Sequence, residues 1–223
     1  MGDAVGGMLA SAVGIAISPM PLIAVILTLA TPRGRSNGTA FAAGWVVALA
    51  AVVTVVVSAG SGLSAGSDRP SWAWWLKLAL GTLFLLLGFR QWRARPREGH
   101  VHGPPAWMEA VDRFTPVKAA GLAAALVALN PKNLVLAVGG AVSIATATAS
   151  GAGKACAAAL MVLIGSLCTL VPLGVYLFGG DRAARILGEW KAWTAAHNAA
   201  IMTVLLVVLG ATYVGDALTG LTS

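Results

Sequence analysis

The apolar residues of this chain fall into six long segments separated by short polar connections. A helix that crosses the hydrocarbon core of a bilayer needs about 20 apolar residues, and each segment is close to that length or longer. The segments cover residues 4–30, 39–59, 72–89, 119–146, 154–178 and 199–218. The pattern therefore predicts an all-α polytopic membrane protein with six transmembrane helices.

Two of these segments are interrupted by proline near their middle. The interruptions read Ser18-Pro19-Met20-Pro21 and Asn130-Pro131-Lys132-Asn133. Proline inside a helix removes a backbone hydrogen bond and clashes with the preceding turn, so both helices should open there. In lipid, freed backbone groups are tolerated only where protein or a water-filled cavity satisfies them. A matched pair of broken helices, one in each half of a chain, is typical of a transporter's substrate site.

The two breaks divide the chain into similar halves, residues 1–118 and 119–223. Each half holds three predicted spans, of which the first is broken. Residues 83–88 of the third span also resemble residues 205–210 of the sixth. Because three spans per half give the halves opposite orientations, the sequence predicts a 3+3 inverted repeat with helices 1 and 4 broken.

The composition agrees with a membrane setting and excludes several classes of function. Of the 223 residues 58% are hydrophobic and 10% are charged, whereas soluble proteins carry about 25% charged residues. No Asp or Glu lies deep in a predicted span, so neither a carboxylate proton relay nor a metal site is visible. Residues 151–154 resemble a phosphate-binding loop but lack its leading glycine and its Ser or Thr. We therefore expect no ATP, no other cofactor and no enzymatic activity.

Basic residues are distributed unequally between the connections. Eleven Lys and Arg lie in the first, third and fifth connections, against two in the second, the fourth and both tails. Basic residues stay on the cytoplasmic side, which places the termini outside the cytoplasmic (inner) membrane and explains the net charge without nucleic acid. Apolar residues at helical spacing in residues 107–114 predict an amphipathic surface helix or a packed loop helix, and residues 186–193 repeat the surface pattern.

The breaks also carry the candidate chemistry. Ser18 and Asn130 are good N-cap residues followed by proline, so each can begin a half-helix whose positive end lies in the membrane. Lys132 lies about 14 residues, or roughly 21 Å, into a span that crosses about 30 Å of hydrocarbon. A lysine at that depth costs about 2.5–3.5 kcal/mol, which favours a function over the alternatives that it bonds freed carbonyls or reaches the cytoplasmic surface. With the helix ends it predicts an anion site.

We therefore predict a substrate site made of both breaks. Its residues are Ser18, Pro19, Pro21, Asn130, Pro131, Lys132 and Asn133. In the first connection, Arg33 and Arg35 are predicted to form a cytoplasmic gate or a headgroup contact. No catalytic and no metal-binding residue is predicted.

The same motifs resemble those of a known family. They are Ser18-Pro19-x-Pro21-Leu22, Thr31-Pro32-Arg33-Gly34, Asn37-Gly38 with Phe41, Gly44-Trp45, and Asn130-Pro131-Lys132-Asn133-Leu134. Together they resemble the GAP or Sap family, the glycopeptidolipid- and sulfolipid-addressing proteins of the LysE transporter superfamily, over essentially the whole chain. The resemblance implies a secondary transporter or flippase that exports an anionic lipid or glycolipid of the cell envelope across the cytoplasmic membrane of actinobacteria.

Three alternatives stand beside this interpretation. The same fold could export a small solute such as an amino acid, as other members of the superfamily do, or serve as a non-transporting scaffold. A thiol–disulfide electron carrier is disfavoured, because it would need a cysteine at each break, where this chain has Met20 and Lys132 with neither Cys156 nor Cys168 nearby. The expected partners are membrane lipids and the lipid substrate; a homodimer and contact with the envelope-lipid synthesis machinery are also compatible with the sequence.

Overall fold

The computed structural model describes residues 2–63, 71–93 and 114–222, which are helical apart from short turns. The helices of this described part are α1 (Gly2–Ala16), α2 (Pro19–Leu29), α3 (Gly34–Leu63), α4 (Ser71–Arg93), α5 (Pro116–Ala128), α6 (Pro131–Ala145), α7 (Gly151–Gly165), α8 (Leu167–Phe178) and α9 (Ala183–Thr222). A 3₁₀ turn, Gly180–Arg182, joins α8 to α9, and these ranges contain no strand. The predicted all-α class is confirmed.

By length and composition, two helical segments can cross a membrane on their own, Gly34–Gly60 and Gly180–Thr222. Three further pairs of helices qualify only as bent spans. The bend is 47° between α1 and α2, 66° between α5 and α6, and 56° between α7 and α8. Counting each bent pair once gives five candidate spans among the described residues. The first two bends lie at the predicted breaks, and the third was not predicted.

Local sequence explains why α2 and α6 begin where they do. Pro19 and Pro131 occupy the first position of these helices, where the missing N–H of proline is not needed. The residues before them, Ser18 and Asn130, have the extended backbone of an N-cap. Asn130 Oδ1 accepts a hydrogen bond of 3.2 Å from the Lys132 N–H, whereas the Ser18 side chain makes no capping bond.

The third bend, at Ser166, has a different cause. The Thr169 N–H bonds the Ser166 carbonyl, three residues back, instead of the Gly165 carbonyl. The freed Gly165 carbonyl accepts hydrogen bonds from Trp45 Nε1 at 3.2 Å and from Cys168 Sγ at 3.5 Å. Trp45 belongs to α3, so a partner distant in sequence contributes to the bend. Pro172, inside α8, contributes locally because it has no N–H for the Cys168 carbonyl.

The helices pack side by side around a core rich in small residues. The helix α4 lies along α9, α3 contacts α5 and α6, and α1 contacts α6 and α7. Phe41, Trp45 and Phe84 are among the largest fully buried side chains. Since lipid is as apolar as the core, close backbone approach matters more than in water. A Cβ on Gly81 of α4 would lie 3.0 Å from the Gly210 carbonyl oxygen of α9, and one on Gly210 would lie 2.9 Å from the Gly81 oxygen.

The last helix is longer than predicted. Its 40 residues correspond to roughly 60 Å, about twice the hydrocarbon thickness. Residues 186–193 are helical, as their spacing predicted, but they continue without interruption into the predicted span 199–218. They therefore do not form a separate surface helix. Of the amphipathic helix predicted at 107–114, residues 107–113 lie outside the described residues, and Phe114 precedes α5 without being helical.

Candidate functional site

The two proline breaks meet in space. Ser18 Oγ donates a hydrogen bond of 3.3 Å to Asn133 Oδ1, and the two residues are 115 positions apart in sequence. Both side chains are buried. The structure thus brings together one residue from each predicted half of the site.

Asn133 also repairs the backbone where α5 ends. Its Nδ2 donates a hydrogen bond of 3.0 Å to the carbonyl oxygen of Leu126. Carbonyl groups in the last turn of a helix have no partner within the helix, so this bond satisfies one of them. One amide side chain therefore fixes the end of α5 and holds the first break against the second.

Lys132 is buried beside this contact. Its side chain occupies the second position of α6 and is 6% exposed. Its Nζ lies 3.8 Å from Met202 Sδ of α9, and a thioether sulfur is a weak acceptor. Buried charges are normally paired with an opposite charge. The ion pair found among the described residues joins Lys77 to Asp216 and does not involve Lys132. The positive end of α6 adds to the potential of the lysine, so the site is suited to an anion.

Cys168 lies closer to this site than the sequence indicated. It is buried in the first turn of α8 and lies within electrostatic range of Lys132. The expectation that neither cysteine lies near the breaks is therefore wrong for Cys168, which packing brings in from another helix. Cys156, on α7, is exposed, and both thiols are free. Among the described residues, no three His, Cys, Asp or Glu side chains come together as a metal site would require.

The corresponding positions of the two breaks differ in exposure. Pro19 and Pro21 are buried, whereas Pro131 is exposed. Met20, the counterpart of Lys132, is 48% exposed. The two breaks are thus similar in backbone but direct their side chains differently.

The two arginines predicted as a gate lie at the far end of α2 from the breaks. Arg33 lies in the turn before α3 and Arg35 in the first turn of α3; both are exposed and line a pocket of about 410 Å³ with Tyr176 of α8. Between Arg33 and Arg35, Gly34 packs so closely on the Leu29 carbonyl and the Tyr176 hydroxyl that a side chain would not fit. The 11 residues of α2, roughly 16 Å of helix, separate this pocket from the breaks.

Sequence reasoning missed several polar residues that lie inside the helix bundle. Ser11 Oγ and Tyr213 Oη share a hydrogen bond of 2.9 Å that joins α1 to α9. Ser166 marks the third bend, and its hydroxyl is buried. These residues stand outside both break motifs. The available signal was the presence of isolated polar side chains inside predicted spans.

Comparison with known proteins identifies the family. The family described as Sap, sulfolipid-1-addressing protein, matches residues 8–219. No curated protein and no solved structure matches the chain. The family match includes both breaks and the turn with Arg33 and Arg35, and the apolar helices agree with a membrane protein. The chain therefore belongs to the Sap, sulfolipid-1-addressing protein, family.

Proposed function

We propose that this protein is a secondary transporter or flippase that exports an anionic lipid or glycolipid of the cell envelope across the cytoplasmic membrane. The headgroup binds between the two breaks. The observation that carries the proposal is the buried Lys132 ammonium at the contact between the breaks, for which the described residues supply a thioether sulfur at 3.8 Å and no carboxylate.

A sulfate or phosphate headgroup would compensate for the isolated charge. Burying a lysine in a membrane costs about 2.5–3.5 kcal/mol, and a hydrogen bond to a charged group returns about 1.5–3 kcal/mol. Ser18 Oγ and Asn133 Nδ2 are donors at the contact between the breaks and would supply further bonds to the headgroup after rearrangement. The family's description names a sulfolipid, which agrees with an anionic substrate.

The helix packing supports a 3+3 inverted repeat of six spans. The five candidate spans do not include α4. Its 23 residues correspond to roughly 35 Å, so α4 would be the additional span that completes six. When the two halves are exchanged, α1 corresponds to α5, α3 to α7 and α4 to α9. The contact of α3 with α5 then corresponds to the contact of α7 with α1, and the contact of α4 with α9 corresponds to itself. Lys132 then lies at the start of the 15-residue α6, directly after the 13-residue α5, and so near the middle of its span.

Contacts between the connections support the proposed orientation. Asn37 Nδ2 donates a bond of 3.0 Å to the Phe114 carbonyl oxygen, which joins the first and third connections at the proposed cytoplasmic side. Thr148 donates a bond of 3.3 Å to Asp3, which joins the fourth connection to the N-terminus at the proposed outer side. The unequal distribution of basic residues assigns the two sides.

The site is closed in this conformation. Ser18, Lys132 and Asn133 are all buried, so a headgroup can bind only after the helices separate. The exposed Arg33 and Arg35 lie at the proposed cytoplasmic end, where they would contact an incoming headgroup first.

Transport in reconstituted vesicles tests the proposal. The full chain is incorporated into proteoliposomes with a fluorescent sulfated glycolipid, and a membrane-impermeant quencher reports which leaflet holds the lipid. We expect Lys132→Ala to reduce movement at least tenfold at equal levels of folded protein. Lys118→Ala, which removes an exposed lysine of α5, is the matched control and should transport normally.

Two results would contradict the proposal. Unchanged lipid movement by Lys132→Ala would show that the lysine does not bind the headgroup. Export of a radiolabelled amino acid without movement of the glycolipid would favour a small-solute exporter, and movement of neither by purified protein would favour an accessory scaffold.

A further inference from the structure

A long apolar groove runs between α3 and α7 on the outside of the helix bundle. Its volume is about 730 Å³. The walls are mostly valine and alanine side chains from residues 46–58 of α3 and 151–163 of α7. Lys154 lies at one end and Ser166 at the other. Wall residues such as Ala159 are exposed, so the groove opens sideways.

The dimensions of the groove suit an extended hydrocarbon chain. Residues 151–166 rise roughly 22 Å and residues 46–58 roughly 18 Å along their helices. One leaflet is about half of the ~30 Å hydrocarbon core, so the groove can hold a whole acyl chain. Divided by a groove length of about 20 Å, the volume corresponds to a mean width of about 7 Å. This width is less than the diameter of a helix with its side chains, ~10–12 Å.

The inner end of the groove carries an unsatisfied polar group. Ser166 is 0% exposed, and its Oγ has no hydrogen-bond partner among the described residues. An unpaired buried hydroxyl is unfavourable, so a ligand that supplies an acceptor there gains affinity. The first acceptor of an acyl chain is the carbonyl oxygen of its ester or amide.

The same end lies beside the candidate headgroup site. Ser166 and Leu170 line the groove. Cys168, between them in sequence, lies within electrostatic range of Lys132. The first turn of α8 therefore borders the groove and is also within electrostatic range of the buried lysine.

We propose that the groove holds one acyl chain of the exported lipid. The chain's carbonyl oxygen accepts a hydrogen bond from Ser166 Oγ, the headgroup lies on Lys132, and the chain extends toward Lys154. The inference rests on the proposed function for the identity of the lipid, and it deepens that function by assigning the path of the chain.

A second copy of this protein is the competing occupant of the groove. In a membrane, a two-fold interface across this face would bring the two Lys154 side chains to the same depth. Lys154 lies in the first turn of α7, next to the fourth connection, and like charges that face each other there repel. The described parts of α3 and α7 carry no acidic side chain to compensate. The charge pattern therefore favours a lipid over a second copy.

Photo-crosslinking of the full chain in nanodiscs tests the inference without requiring transport. Two phosphatidylglycerol probes carry a diazirine, one beside the acyl carbonyl and one at the end of the chain. We expect the first probe to label residues near Ser166 and the second to label residues near Lys154. The reverse order would overturn the proposal, because it would place the headgroup at Lys154.

Two substitutions sharpen the test. Ala159→Phe fills the groove and should reduce labelling at least fivefold, whereas Cys156→Phe, on an exposed part of α7 outside the groove, should leave it unchanged. Ser166→Ala should reduce labelling by the probe beside the carbonyl roughly three- to tenfold. Equal labelling of wild type and Ala159→Phe, or efficient disulfide-linked dimers of an Ala159→Cys variant made without its native cysteines, would overturn the inference.

The outcomes separate this inference from the proposed function. Glycolipid movement without groove labelling would refute the groove alone. Ordered groove labelling without glycolipid movement would support the lipid site and refute transport.

Discussion

The two proline breaks share a backbone design but not a chemistry. Each begins a helix at proline after a polar N-cap, and each bends its span by more than 40°. At the third position of the motif, however, Met20 is 48% exposed and Lys132 is 6% exposed. The first break contributes the Ser18 hydroxyl to the contact, and the second contributes a charge and the Asn133 amide.

This difference shows that two broken helices can share a bend while only one of them supplies a charge. Opening a helix depends on proline and on a local cap. Burying an ammonium depends on which other helices surround it. The first break therefore supports the second, which holds the group that would bind the substrate.

Moving the charge between the breaks should give the largest effect. In the double variant Met20→Lys/Lys132→Met, the lysine would stand at the exposed position of the first break. We expect loss of glycolipid movement in proteoliposomes. We also expect Met20→Lys to destabilise the protein by about 2.5–3.5 kcal/mol, because the charge would face lipid. Unfolding by SDS in mixed micelles measures the stability.

The single variant Lys132→Met is the control for this exchange. It removes an isolated buried charge, so its stability should equal or exceed that of wild type, although transport is lost. Transport by the double variant would show that the two breaks are interchangeable and would remove the basis of the comparison.

Cutting the contact between the breaks should have an intermediate effect. Asn133→Leu leaves both the Leu126 carbonyl and the Ser18 hydroxyl without their partner, so we expect a loss of about 1–3 kcal/mol. Ser18→Ala removes a single interhelical bond, for which about 0.6 kcal/mol is typical in a membrane protein. A double-mutant cycle with Ser18→Ala and Asn133→Ala measures the coupling. Strict additivity would show that the breaks do not support each other.

The third bend should depend on α3 as well as on Pro172 of α8. Trp45→Phe keeps the aromatic ring but removes the donor to the Gly165 carbonyl, so we expect a loss of about 1 kcal/mol. The same SDS titration measures it. Trp193→Phe, at an exposed position of α9, is the matched control and should unfold like wild type. An unchanged midpoint for Trp45→Phe would show that the bend is local.

Removing the hydroxyl of Ser166 should have the smallest effect on stability, and the sign of that change in stability is informative. The hydroxyl is buried without a partner among the described residues, so in lipid-free detergent Ser166→Ala should be neutral or slightly stabilising, within about 0.5 kcal/mol. Thermal unfolding followed by circular dichroism measures the change. A clear loss of stability would mean that the hydroxyl already has a partner within the protein.

Much of the candidate site could be predicted from the sequence, because proline acts locally. The positions of both breaks and the starts of the helices after Ser18 and Asn130 follow from residue order and helix geometry, whereas the membrane depth of Lys132 stays a prediction. The third bend was not predicted, although Pro172 is a local signal for it; its contact with Trp45 comes from another helix. The position of Cys168 within electrostatic range of Lys132 was missed because it also depends on packing.

The boundaries of α9 show a second limit of sequence reasoning. Polar and aromatic residues at 186–193 indicated a surface segment. Gly188 lies inside that segment, but neither glycine nor proline separates the segment from the apolar run that follows. A helix continues unless a residue stops it, and a change in polarity alone does not.

The sequence alone determined a helical membrane protein with two proline breaks, because hydrophobic length and the missing N–H of proline are properties of neighbouring residues. Only the tertiary structure decided that the breaks touch through Ser18 and Asn133, that Lys132 is buried while Met20 is exposed, and that a groove leads from Ser166 along α3 and α7. Contacts and burial are set by residues from distant helices, and no local pattern encodes them.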